Sequence, residues 1–159
     1  MYDIRKLVKM ITMEKVSKKE LDELYNAALA YHIGKGGVET SIMLAIECYE
    51  EFLQKATVKH SKFLNAHHGL ASLYTKMGDM SKESGMKEEA TNFYNYAVEH
   101  YEVVLVEHKD VAFNDRLLAE MNYEKLRKKM SSGGGIGSFF KKIFGAYWSN
   151  LVHKIGAID

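Results

Sequence analysis

At 159 residues, 47% of them hydrophobic and 27% charged, the chain has the length of one domain and enough apolar material for a core, which excludes a disordered polymer. Lys and Arg number 22 against 21 Asp and Glu, a formal net charge of +1, so the chain lacks a polyanion-binding signature and no nucleic-acid partner is expected. The single cysteine, Cys48, excludes an intrachain disulfide and, in an apolar helical stretch, reads as a buried inert thiol in a reducing compartment.

No stretch approaches the roughly 18 apolar residues of a spanning helix, and the amino terminus is charged from its start without a signal-peptide core. An intracellular protein, soluble or peripheral to a membrane, is expected.

Residues 1–16 form the first expected element, an amphipathic helix with Ile4, Leu7, Val8 and Ile11 on one face and Arg5, Lys6 and Lys9 opposite. Ser17-Lys18-Lys19-Glu20 is a capping box, in which serine oxygen and glutamate each satisfy an orphan amide, so a longer helix should begin there. Its inner stripe is Leu21, Leu24, Tyr25, Ala28 and Tyr31, and the glycines from Gly34 to Gly37 end it. A second helix spans about Glu39 to Ala56, with Ile42, Ala45, Ile46, Tyr49, Phe52 and Leu53 inward. The third runs from about Ser61 to Met77 and is expected to close at Gly78-Asp79. The fourth starts at Lys82 or Lys87 and reaches His108, and the fifth covers about Val111 to Met130. Residues 131–137, rich in Gly and Ser, read as a hinge, and 138–159 as a carboxy-terminal amphipathic helix. With no proline and no strand-like alternation, the fold class is all-α: about five to six helices in antiparallel hairpins over 17–130, plus that last helix.

An internal repeat runs through the hairpins. Ala28-x2-Tyr31 in the first helix answers Ala71-x2-Tyr74 in the third, and Ala45-x3-Tyr49-x2-Phe52 in the second answers Ala90-x3-Tyr94-x2-Ala97 in the fourth. A small residue lets two helices approach closely and an aromatic one turn away fills the space beside it; the face each hairpin leaves bare is covered by stacking. These residues, with Gly78-Asp79 after Tyr74, resemble the tetratricopeptide repeat over roughly residues 20–105. The chain departs from that family's 34-residue period by about ten residues, places His67 where the family has an early aromatic, and lacks the family's proline. The resemblance implies a concave surface lined by the first helix of each hairpin that takes a peptide or helix of a protein partner. The candidates on it are Asn26, Tyr31, His32, Asn65, His68 and Lys76; Tyr31 reads first as core packing.

Chemistry-bearing patterns are weak. The seven histidines, densest at His60, His67, His68, His100 and His108, show no Glu-x2-His or His-x3-His spacing that would chelate a metal from one helix face. Gly133-Gly134-Gly135-Ile136-Gly137 follows no strand, so it matches no phosphate-binding loop. No catalytic residue, metal or cofactor is expected, and the chain reads as non-enzymatic.

The carboxy-terminal segment is more specific. Ile136, Phe139, Phe140, Ile143, Phe144, Tyr147, Trp148, Leu151, Val152 and Ile155 follow the helical period without a miss; Lys141, Lys142, Ser149, Asn150, His153 and Lys154 lie opposite, and no acid intervenes between Glu124 and Asp159. Covering such a face is worth on the order of 10 kcal/mol at about 25 cal/mol per Å² before ordering costs. Three destinations are open: an anionic membrane surface, with the aromatics at the headgroup boundary and the lysines on anionic lipid; a partner subunit; or the chain's own array as a capping helix. The expected role is therefore a protein-interaction scaffold or adaptor held at a membrane or membrane complex by this segment. The alternative is a structural subunit of a large assembly with both amphipathic ends buried against neighbours.

Overall fold

The computed structural model describes residues 16–106 and 113–131, with the backbone alone for 113–115. Among them five α-helices follow one another: α1 (Lys18–Ile33), α2 (Ile42–Lys55), α3 (Phe63–Glu83), α4 (Lys87–Val106) and α5 (Phe113–Ser131). The class is all-α. Helices α1 and α2 form one hairpin and α3 and α4 a second, more extensive one; α3 also packs on α2, and α5 on α4. Residues 1–15 of the expected first helix, the expected helix over 138–159, and residues 132–137 of the hinge lie outside the described residues; Val16 is not helical and packs on the first core.

Local chemistry sets the ends of α1. Ser17 caps it as the sequence predicts: Ser17 Oγ accepts from the Glu20 amide at 3.2 Å, and Glu20 returns an oxygen to the Ser17 amide at 2.7 Å. At the other end Gly34 takes φ +72°, a left-handed geometry that costs glycine nothing, and its N–H donates to Ala30 O at 2.8 Å. Helix α2 starts three residues later than expected, at Ile42, because Ser41 supplies the cap, Ser41 Oγ accepting from the Leu44 amide at 3.3 Å.

One expected boundary is overturned. Gly78-Asp79 does not close the third helix; α3 runs on to Glu83, and the chain turns at Ser84 and Gly85, the latter at φ +80°. Gly78 serves packing instead. A Cβ there would stand 2.4 Å from Cε1 of Tyr94, and one on Gly69, nine residues earlier, 2.8 Å from Cζ of Tyr49. Each glycine of α3 thus admits the flat ring of a tyrosine from a second helix, and that contact offsets the roughly 1 kcal/mol that a glycine costs in a helix interior. Ser131, assigned to the hinge by sequence, is the last residue of α5, its Oγ donating to Lys128 O at 3.0 Å.

The buried residues form two clusters that meet on α3. The first gathers Leu21, Tyr25, Ala28, Ala45, Ile46, Tyr49, Phe52, Ala66, Leu70 and Leu73, with the rings of Tyr49 and Phe52 edge-on to Tyr25 at 5.8 and 5.7 Å. The second gathers Ala71, Ala90, Tyr94, Ala97, Val98, Tyr101 and Val104 with Ala119, Leu126 and Met130 of α5. The repeat positions are equivalent in burial: Ala28 and Ala71, Ala45 and Ala90, and Tyr49 and Tyr94 are all in the core. Tyr31 and Tyr74 both lie half-buried at its flank.

Candidate functional site

The six candidates for the inner surface sit on α1 and α3, the first helices of the two hairpins. His32 is half-buried, its Nδ1 3.3 Å from Tyr49 Oη and its ring edge-on to Tyr49 at 6.0 Å. Burial holds this imidazole below its ordinary value, and the charges of His68 and Lys76 push the same way. Those two groups of α3 therefore lie close enough to α1 for their fields to be felt at His32. His68, half-buried, faces the ring of Tyr101 at 5.9 Å, and Lys76 is exposed. His68 and Lys76 of α3 thus lie within electrostatic reach of His32 on α1. Asn26 is exposed and Asn65 half-buried. Tyr31 packs against the first core cluster.

A second surface, which the sequence does not single out, lies where α2, α3 and α4 meet. Tyr74 of α3 is its centre: the ring stacks on His100 (5.8 Å, 4°) and Phe93 (6.3 Å, 20°) and leans on Tyr96 (5.4 Å, 42°), all of α4. Its hydroxyl donates to Glu50 of α2. Burial, then the bond to Glu50, hold the phenol in its neutral form. Tyr96 is 49% exposed, so the aromatic patch opens to solvent. Helical spacing alone could have grouped Phe93, Tyr96 and His100, which share a face of α4; that Tyr74 and Glu50 join them depends on how the hairpins stack.

Beneath that patch His67 Nδ1 and His100 Nδ1 stand 2.8 Å apart, so one imidazole donates and the other accepts. Both are held neutral: burial and then the neighbouring His100 lower His67 to about 3, and burial lowers His100 to about 4. Among the described residues no three His, Cys, Asp or Glu side chains are placed to hold a metal ion. Cys48 is half-buried, and burial, reinforced by Glu51 and Glu47, raises its thiol and so suppresses the reactive thiolate.

The second hairpin and α5 are joined through carboxylates. Asp79 accepts from Tyr94 Oη at 2.7 Å, and both its oxygens accept from Lys129 Nζ at 2.8 Å. Burial raises that carboxyl, but the bonds from Lys129 and Tyr94 outweigh it and leave the group below its ordinary value. Glu102 accepts from Tyr123 Oη at 2.7 Å, yet burial wins there and lifts the carboxyl to about 7. On the opposite side of α5, Leu117, Leu118 and Met121 are exposed.

No described helix is long and apolar enough to cross a membrane. The aromatic and basic positions from Phe139 to Ile155 lie outside the described residues. Comparison with protein-family models, with curated proteins and with solved structures finds no match for this chain.

Proposed function

We propose that the chain is a non-enzymatic protein-interaction scaffold of tetratricopeptide-like hairpins, tethered to a membrane surface or membrane complex by its carboxy-terminal segment. The observation that supports the scaffold reading is the approach of His32 on α1 to His68 and Lys76 on α3. The first helices of the two hairpins, α1 and α3, touch one another, as in a peptide- or helix-binding array of stacked hairpins. Lys76, exposed and within electrostatic reach of His32, suits an acidic or carboxylate-bearing ligand.

A selection of helical peptides from a random display library against the full chain tests this. Peptides that bind wild type should lose at least tenfold affinity with Lys76→Glu and with His68→Ala, while the circular dichroism of the variants stays that of wild type. Selected peptides indifferent to both substitutions would remove the surface from consideration.

The tether rests on the amphipathic period and basic face of 136–155. The alternative of a structural subunit draws on a separate observation, the exposed Leu117, Leu118 and Met121 on α5, whose apolar area has no cover among the described residues. For a subunit, polar replacement of these three should convert a self-associating chain into a monomer, read by analytical ultracentrifugation.

A further inference from the structure

The aromatic patch carries one carboxylate in contact, that of Glu50, and further acids stand on the same helices. Besides Glu50, which holds Tyr74, the exposed Glu47 and Glu51 lie on the same helix, and Glu51 is paired with Lys55. On α4, Glu89 precedes Phe93 by four residues and Glu99 follows Tyr96 by three, spacings that set each acid beside its aromatic on the helix surface.

The chain itself carries the complement. From residue 125 onward it has seven Lys and Arg against one acid, Asp159, although the whole chain is nearly neutral. Within that stretch Phe139, Phe140, Ile143, Phe144, Tyr147 and Trp148 share a helical face flanked by Lys141 and Lys142. Six residues, 132–137, separate the end of α5 from this segment; extended, they span at most about 20 Å, enough to cross one helix of about 10 Å diameter. The helix to be crossed is α4, on which α5 packs and whose other flank bears Phe93, Tyr96 and His100.

The exposed face of α5 is the competing seat, and its charge argues against it. Folding 138–155 back along α5 would set Lys141 and Lys142 beside the exposed Lys125 and Lys128 near the turn. Like charges at that range repel, whereas the patch offers the carboxylate of Glu50.

We infer that the aromatic patch of α2, α3 and α4 is a docking surface for the chain's own basic amphipathic segment 138–155, which lies on it when no lipid is present. Aromatic edges and faces cover the Phe and Trp side chains, and the two adjacent lysines meet Glu50 and its neighbours. An anionic surface then competes with the patch for the same face of the segment. The inference shares the amphipathic reading of 138–155 with the proposed function but does not require lipid binding, and the two fail separately.

Trp148 is the only tryptophan, so it reports on the segment directly in the full chain. The measurement is acrylamide quenching and emission maximum of Trp148 in lipid-free protein, for wild type, for Glu50→Lys/Tyr96→Lys and for Lys141→Glu/Lys142→Glu. The expected result is a shielded, blue-shifted Trp148 in wild type, independent of protein concentration. Either double variant should raise the quenching constant several-fold, and combining Glu50→Lys with Lys141→Glu/Lys142→Glu should restore shielding. Should the patch variant lose helix content, the tail variant, which alters no described residue, still decides. A wild-type Trp148 quenched like free indole overturns the proposal. So does shielding that survives both double variants, that vanishes on dilution (a second copy), or that is lost only with Leu117→Gln/Met121→Gln (the α5 face). Vesicle binding is absent from this assay, so a tail that is shielded yet never pellets with lipid refutes the tether alone.

Discussion

The two hairpins match at Ala45 and Ala90 and at Tyr49 and Tyr94, then diverge a single turn later, where the first has Phe52 and the second Ala97. Phe52 is fully buried and closes the first core with rings, edge-on to Tyr25 and to His60. Ala97 leaves that volume open, and the second core takes Ala119, Leu126 and Met130 from α5 instead. The repeat that ends in an aromatic is completed by α3 alone, through Ala66, Leu70 and Leu73, whereas the one that ends in alanine draws on α5. The second region also trades apolar cover for polar ties, Tyr94 to Asp79 and Tyr123 to Glu102, where the first relies on ring contacts.

The largest effect should come from emptying the first core. Phe52→Ala removes a fully buried ring, and urea denaturation should show a loss of about 3–5 kcal/mol. The reverse change, Ala97→Phe, should cost about 1–3 kcal/mol by overpacking and should expose α5 first to hydrogen exchange. Gly78→Ala belongs to the same range, about 1–3 kcal/mol, because the obstructing atoms are mid-ring atoms of a tyrosine bonded to Asp79. Gly69→Ala should cost less, since it meets the far end of Tyr49.

Acid should separate the regions next. His67 and His100 have folded values depressed to about 3 and about 4, so the stability they confer is complete above about pH 6.5 and drains as pH falls toward 4. Each contributes a slope of up to about 1.4 kcal/mol per pH unit in that window. Glu102 has the opposite sign: raised to about 7, it favours the fold at low pH and weakens it as pH rises from about 4.5. The variant Glu102→Gln should therefore lose stability more steeply on acidification than wild type, and His100→Gln less steeply, in melts between pH 4 and 7. The smallest effect is Asp79→Ala, about 1 kcal/mol, because its bonds to Tyr94 and Lys129 are partly exposed.

Much of this architecture is legible in sequence. The capping box at Ser17, the five helices and both inner stripes follow from period and capping chemistry, which are local. Gly78 misleads because glycine both ends helices and admits close neighbours, and only the ring of Tyr94 across the hairpin tells the two apart. For the same reason His67 and His100, 33 residues apart, cannot be paired from spacing, nor Tyr74 matched with Glu50.

What the basic aromatic segment does when an anionic surface is offered decides the tether. Co-sedimentation of the full chain with neutral and with anionic vesicles, beside Phe140→Glu/Phe144→Glu, measures it directly. The expected result is pelleting with anionic vesicles that weakens at high salt, little with neutral ones, and none for the double variant. A chain that stays in the supernatant at every lipid concentration, or a double variant that pellets like wild type, would contradict the tether.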